Sequence, residues 1–149
     1  MNHITMEDNL LKTCLYDRHV ALGAQMSPFG GFIMPIQYTN ITDEHNAVRN
    51  KAGMFDVSHM GEIFVSGPDA EKFVNHIFTN NVTGIPDGKI LYGMMLYPNG
   101  TVVDDLLVYK EFEPCRYLLV VNASNIAKDY EWICGQKDGF DVEVVNASD

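Results

Sequence analysis

The chain has 149 residues, 46% hydrophobic and 20% charged, a composition that fits one packed domain, or one domain and part of another, and excludes general disorder. Lys and Arg number 10 against 20 Asp and Glu, a formal charge of −10, which leaves no basic footprint for a nucleic-acid backbone. No run approaches the roughly 18 apolar residues of a membrane span, and the opening MNHITMEDNLLKT resembles neither a secretory signal nor a transit peptide.

Cys14, Cys115 and Cys134 are odd in number, widely spaced and without a C-x-x-C pair. This argues against a disulfide framework or a structural zinc site and for a reducing interior. N-x-[ST] sequons at Asn40, Asn81, Asn99, Asn122 and Asn146 are expected to be idle without a secretory signal.

In chain order, Leu10 to Ala24 reads as a helix with Leu11, Leu15, His19 and Leu22 on one stripe. SPFGGFIMPIQYT then reads as loop and short extended pieces. A second helix is expected from Thr42 as N-cap, with Asp43 and Glu44 in its first turn and Gly53 to stop it. Gly61 to Ser66 reads as a strand. Pro68 then opens a helix whose apolar set, Ala70, Phe73, Val74, Ile77 and Phe78, follows the i, i+3, i+4, i+7, i+8 template. Strands are expected at Ile90–Tyr97, Thr101–Tyr109 and Arg116–Val121. A helix follows from about Ser124 to Cys134, with an inner stripe of Ile126, Ala127, Tyr130, Ile133 and Cys134. A last strand, FDVEVV, alternates Val142 and Val144. The order β-α-β-β-β-α-β predicts an α+β, ferredoxin-like domain with an antiparallel-rich sheet and helices on one face. The residues before about Met54 lack the strands for a core of their own and read as an incomplete portion of another domain.

The stretch TVVDDLLVYK places two carboxylates, Asp104 and Asp105, in an otherwise apolar strand. A charge there is costly unless it is paired, hydrogen-bonded or used. Asn99-Gly100 signals a two-residue type I′ turn, which makes paired residue numbers sum to 199. Asp105, Leu107 and Tyr109 then share a face with Tyr92, Met94 and Leu96, while Asp104 points the other way. A three-residue loop would instead set Asp105 against Gly93. The favoured register surrounds one carboxylate with two tyrosines and a methionine, a setting for a flat aromatic ligand with one polar anchor. The alternative is that adjacent acids mark a solvated face and that the tyrosines only pack. For Asp104 a solvated or hydrogen-bonded strand role is preferred. His59 in DVSHMGE invites a catalytic role but fits a structural one better, and His76 falls on the solvent side of its helix. Gly30-Gly31 lacks the strand–glycine–helix spacing of a phosphate cradle, and no D-x-D-x-D-G loop offers a calcium site; no metal ligand set is assigned.

MFDVSHMGE (54–62), PDGKILY (86–92), NGTVVDDLLVYK (99–110) and VVNASNIAKDYEW (120–132) occur in that order, preceded by LYDRHVALGAQM and MPIQYT. From about Lys12 to its end the chain closely resembles the T-proteins, the aminomethyltransferases of the glycine cleavage system. The resemblance implies transfer of a one-carbon unit, carried as an aminomethyl group on the lipoyl arm of the H-protein, to tetrahydrofolate with release of ammonia. It implies Asp105 as the functional aspartate and Met60, Tyr92, Tyr109 and Asn122 as residues lining the folate pocket. A carboxylate there would orient the attacking pterin nitrogen, stabilise developing positive charge and assist proton loss. Where the family usually has a second glycine after the turn asparagine, this chain has Thr101. The family's three-domain fold implies residues 1–54 as the start of a first domain. Residues 55–139 would be the folate-site domain, and 140–149 a return strand toward the rest of the first. The sequence is then expected to be an N-terminal fragment, inactive alone, of a cytoplasmic or mitochondrial-matrix enzyme. The alternatives are a folate-dependent demethylase, the folate-binding portion of a dimethylglycine or sarcosine dehydrogenase, or a non-enzymatic folate-binding relative.

Overall fold

The computed structural model describes residues 10–148. They divide into two compact units at His59/Met60.

In the first unit, α1 (Tyr16–Ala21), β1 (Gln25–Phe29), β2 (Phe32–Gln37) and α2 (Ile41–Asn50) follow one another. The long N-terminal helix expected from Leu10 is cut to α1, because Leu11 is drawn into an isolated bridge with Phe32. The stretch expected as loop and short extended pieces has its extended pieces paired into an antiparallel hairpin. Phe29 pairs with Phe32, and Gly30 and Gly31 have φ of 58° and 86°, so a two-residue turn with positive φ at both central positions closes it. The cap of α2 is Asn40 rather than Thr42: the Asn40 side chain accepts from the Asp43 N–H at 2.8 Å.

The first unit is held by a buried polar cluster. His19 lies between the Tyr38 hydroxyl (2.7 Å) and an Asp56 carboxylate oxygen (2.8 Å). The same oxygen accepts from the Thr13 hydroxyl, and the other accepts from the Ser58 N–H. Burial opposes the Asp56 charge, but hydrogen bonds from His19, Ser58 and Thr13 prevail and hold the carboxyl well below the usual carboxylate range. Among the described residues of this unit, Met34 is the buried hydrophobic side chain, while Leu11, Leu22, Phe29, Ile41, Met54 and Phe55 are exposed.

The second unit contains β3 (Gly61–Ser66), α3 (Ala70–Ile77), β4 (Ile90–Leu96), β5 (Val102–Lys110), β6 (Arg116–Val121), a single 3-10 turn (Ala123–Asn125), α4 (Ile126–Gly135) and β7 (Glu143–Asn146). The strand order is β4-β5-β6-β3-β7, every neighbouring pair antiparallel. β6 lies between β3 and β5, and β3 between β6 and β7, the split β-α-β arrangement expected of a ferredoxin-like domain, with β4 added at one edge. One face of the sheet forms the core. Ile63, Val65, Met95, Leu106, Val108, Leu119 and Val121 pack with Phe73, Val74 and Ile77 of α3 and Ile133 of α4. The predicted α3 stripe is buried at every position.

The β4–β5 hairpin differs from the expected turn yet keeps its register. The Tyr97 N–H bonds to the Thr101 carbonyl, and the Gly100 N–H to the Tyr97 carbonyl, both at 2.8 Å. Gly100 has φ +85° while Asn99 does not have positive φ, so Pro98, Asn99 and Gly100 form a three-residue loop. That loop alone would make paired numbers sum to 198. Leu96 pairs with Val102, but Met95 pairs with Asp104, so a bulge at Val103 adds one residue and restores 199 from there on. Tyr92 therefore lies opposite Leu107, and Met94 opposite Asp105.

β4 is an edge strand, and its free backbone groups are covered. The Thr79 N–H donates to the Met94 carbonyl, the Thr79 hydroxyl accepts from the Met94 N–H, and the Asn80 amide donates to the Tyr92 carbonyl. Gly93 turns inward between Tyr92 and Met94, where an added Cβ would lie 2.7 Å from the Phe78 ring and 2.9 Å from the Asn80 amide. Replacing a strand glycine ordinarily helps the strand. Here Gly93→Ala is expected to cost about 1–3 kcal/mol through overpacking, read as a lower urea midpoint; an unchanged or higher midpoint contradicts the packing described.

Candidate functional site

The sheet has a second face, opposite the helices, and the predicted site residues fall on it. On β4, Tyr92, Met94 and Leu96 are 61%, 42% and 39% exposed, whereas Met95 between the last two is fully buried. On β5, Asp105, Leu107 and Tyr109 are partly buried and alternate with buried Asp104, Leu106 and Val108. Leu107 pairs with Val120 and Gly61 with Val121. Two further steps along the first register set Asn122 beside Asp105, and one along the second sets Met60 beside Asn122. Met94, Asp105, Asn122 and Met60 thus make one row across four strands or their ends, and alternation puts all four on the open face.

Two side chains meet Asp105 directly. The Tyr92 hydroxyl donates to Asp105 Oδ2 at 2.7 Å, and Asn122 Nδ2 donates to Oδ1 at 3.2 Å. The bond to Asp105, with the charge of that carboxylate, raises the Tyr92 pKa, so its phenol stays protonated as a donor. Tyr109 and Met60 make no side-chain hydrogen bond to this pair; they contribute surface.

Asp104 is buried, 7% exposed, and is hydrogen-bonded rather than solvated. Its Oδ1 accepts from Asn122 Nδ2 (3.0 Å) and from the Asp105 N–H (3.0 Å), and its Oδ2 accepts from Asn125 Nδ2 (3.0 Å). The Asp129 carboxyl faces it from α4. Burial opposes the Asp104 charge, but Asp129 and the bonds from Asn125, Asn122 and the Asp105 N–H outweigh it and hold the pKa below the usual range. Lys128 donates to the Val103 carbonyl at the bulge. Asn122, Asn125, Lys128 and Asp129 therefore all grip the segment Val103–Asp105.

The expected inner stripe of α4 misses this. Ala127 is exposed, Ile133 is fully buried, and Asp129 takes a core-facing position with no exposure at all. Ile126, Asp129, Tyr130 and Ile133 occupy the i, i+3, i+4, i+7 template, so the spacing is a usable signal, and the expected stripe takes Ala127 in place of Asp129. Burial, then the bond to Asp104 and the negative charge of Asp104, push the Asp129 pKa up to about 7, against a small opposing pull from Lys128.

The remaining histidines are separate from this face. His59 is buried in the first unit, edge-on to Phe29 (5.5 Å) and Phe32 (6.2 Å), and its Nδ1 has no hydrogen-bond partner among the described residues. His76 is exposed, as its periodicity predicts. Among the described residues no helix is long and apolar enough to cross a membrane.

Fold and site define an α+β domain that presents a hydrogen-bonded carboxylate, Asp105, on an open, tyrosine- and methionine-lined sheet face. A family model for the GCVT N-terminal domain matches residues 15–149, and the chain belongs to that family. It is 54% identical over 140 residues to an aminomethyltransferase of Moorella thermoacetica, covering 94% of this chain and 38% of that protein. It is 51% identical over 138 residues to an aminomethyltransferase of Thermotoga maritima, again covering 38% of the relative. The crystal structure of the glycine cleavage system aminomethyltransferase T from Bartonella henselae superposes with a TM-score of 0.86 at 32% identity, over 93% of this chain and 38% of that one. The chain thus spans well under half the length of the relatives it matches.

Two outcomes follow from the hydrogen bonding. Asp104→Ala strands the Asn125 amide and leaves the Asn122 amide to Asp105 alone, and is expected to cost about 1–3 kcal/mol. Asp105→Ala, at a partly open position, is expected to cost less than about 1 kcal/mol; urea unfolding of both variants checks the ranking, and the reverse order contradicts it.

The second outcome concerns pH. With Asp129 at about 7 in the fold and about 3.9 unfolded, the folded chain keeps a proton that the unfolded chain has lost between these values. Its contribution to stability therefore falls as pH rises from about 4 to about 7 and levels off above. Asp104, with a lowered pKa, acts oppositely and only in the acid range, its contribution being lost as pH falls through its folded value. Unfolding midpoints at pH 5.5 and 8.0 are expected to decline in the wild type and to decline less in Asp129→Asn.

Proposed function

We propose that this chain supplies the N-terminal part of an aminomethyltransferase of the glycine cleavage system. The whole enzyme would release ammonia and pass the one-carbon unit from the aminomethyl-lipoyl arm of the H-protein to tetrahydrofolate. The observation that carries the proposal is the single row of Met94, Asp105, Asn122 and Met60 on the open face, with Tyr92 donating to Asp105. The relatives' name and their shared extent support it. In this reading residues 1–54 begin a domain completed by chain beyond Asp149, 55–139 form the folate-site domain, and 140–149 lead back toward the first. The exposed apolar side chains of the N-terminal unit fit a partner layer of that kind. The location would be cytoplasmic, or the mitochondrial matrix in a eukaryote.

The open face fits a reduced pterin chemically. Tyr92, Met94, Leu107 and Tyr109 offer apolar and aromatic surface, and Asp105 offers a carboxylate between them. Met60, Tyr92, Tyr109 and Asn122 would hold the ring; folate would supply the nucleophilic nitrogen. Asp105 would accept a hydrogen bond from that N–H, stabilise positive charge as it develops, and assist departure of the proton. Tyr92 and Asn122 each occupy one oxygen of Asp105 and so set the direction of its remaining lone pairs. Orientation and electrostatics are ranked ahead of full general-base catalysis, because the carboxylate is already shared by two donors.

In the complete enzyme, Asp105→Asn is expected to lower aminomethyl transfer about 100-fold or more while tetrahydrofolate affinity changes only a few-fold. An assay with lipoylated H-protein and a separate folate-binding measurement check this. Retained turnover with normal folate binding overturns the role of Asp105, and no transfer from lipoylated H-protein by the wild-type enzyme overturns the aminomethyltransferase reading.

A further inference from the structure

Asp129 is fully buried on α4, and neither carboxyl oxygen has an N–H or hydroxyl donor among the described residues. Its neighbours explain the shortage. The side chain bonded to it is another carboxyl, Asp104, and two ionised carboxylates have no hydrogen between them to share. The other charged group near it, Lys128, lies 3.5 Å from one Asp129 oxygen, is 44% exposed, and turns one of its three N–H groups to the Val103 carbonyl; its pull toward the charged form is outweighed by burial and by Asp104. Asp104 cannot be the acid of the pair. Its two oxygens already accept from Asn122, Asn125 and the Asp105 N–H, three donors that all favour the charged form.

We infer that Asp129 is a neutral carboxylic acid that donates its hydrogen to Asp104 and is a positioning residue for the Asp105 site. The chain of contacts is short. The Asp129 O–H fixes Asp104; Asp104 fixes Asn122 and the Asp105 N–H; Asn122 in turn donates to Asp105 Oδ1. Burial and the Asp104 charge keep the proton on Asp129 up to about pH 7. Above that, a second negative charge faces Asp104 at close range, with Asp105 one residue further along β5 and only Lys128 to offset it. The row that holds Asp105 then loosens without any change in Asp105 itself. The functional half of this inference rests on the folate reading above; the protonation half does not.

The experiment uses the complete enzyme with aspartate carboxyl carbons and asparagine side-chain amides isotopically labelled, as wild type, Asp129→Asn and Asp129→Leu. Wild type is expected to show one aspartate carboxyl titrating near pH 7, absent in Asp129→Asn, with the Asn122 amide resonance moving at the same midpoint. No carboxyl titrating above about pH 5.5, or an Asn122 resonance that ignores the midpoint, overturns the inference. Tetrahydrofolate affinity is then measured from pH 6 to 9. It is expected to weaken above pH 7 in the wild type. Asp129→Leu, lacking a donor, should weaken it a few-fold at every pH, and Asp129→Asn, whose amide still donates to Asp104, should restore it and remove the pH dependence. Wild-type affinity in a folded Asp129→Leu enzyme overturns the positioning role. If the wild-type enzyme binds no folate, the folate reading fails, and the carboxyl and Asn122 titrations alone decide the inference.

Discussion

The Asp104 carboxylate is the interaction on which the second unit's site depends. It is a buried negative charge in the middle of a strand, and such a charge is tolerated only when its acceptor sites are filled. Three of the groups that fill them come from one short stretch after β6: Asn122, Asn125 and Asp129, with Lys128 holding the neighbouring Val103 carbonyl. Spacings of three and four place these side chains on the side of the 3-10 turn and α4 that faces β5. Charge-assisted hydrogen bonds are directional as well as strong. They therefore fix which way Asp104 points, and strand alternation does the rest, sending Asp105 to the opposite face.

Much of this was legible in the sequence, and what was not has identifiable causes. The α3 stripe is read correctly because its core contacts follow helical period without exception. Asp105 is placed on the right face, opposite Met94, but through an incorrect turn. Asn-Gly favours positive φ at both residues, and Pro98 overrides it by suiting the first central position of a turn that needs negative φ there. A two-residue turn with both φ positive does occur in the chain, at Gly30-Gly31, joining short extended pieces whose pairing the sequence does not announce. Asp129 escaped because a pattern of polar and apolar letters cannot register a carboxyl whose partner is another carboxyl. The spacing alone marked it as inward.

The N-terminal unit is organised differently. Its buried polar cluster joins Thr13, His19, Tyr38, Asp56 and Ser58, with bonds spanning up to 43 positions, through one carboxylate. Few apolar side chains are buried around it. Local helix periodicity misled the reading of Leu10 to Ala24, since the stripe Leu11, Leu15, His19, Leu22 is regular. His19 is buried there for its hydrogen bonds and Leu11 leaves the helix for a bridge to β2. A long-range polar tie of this kind leaves no periodic trace in sequence.

The loop and the bulge of the β4–β5 hairpin each contribute one residue beyond the simplest connection, and the two slips cancel. Since α4 clamps β5 from the other side, a change of one residue between Leu96 and Asp104 would not move Asp105. It would turn β4 over, burying Tyr92 and Met94 and driving Met95 into the open. The segment is thus governed by parity: relatives can lengthen or shorten it by two and keep the site, whereas an odd change dismantles it. Thr101 is neutral in this respect. It lies outside the positive-φ position, which Gly100 holds, and its hydroxyl and N–H both tie back to Asn99, so it leaves the count, and with it the facing of Asp105, untouched.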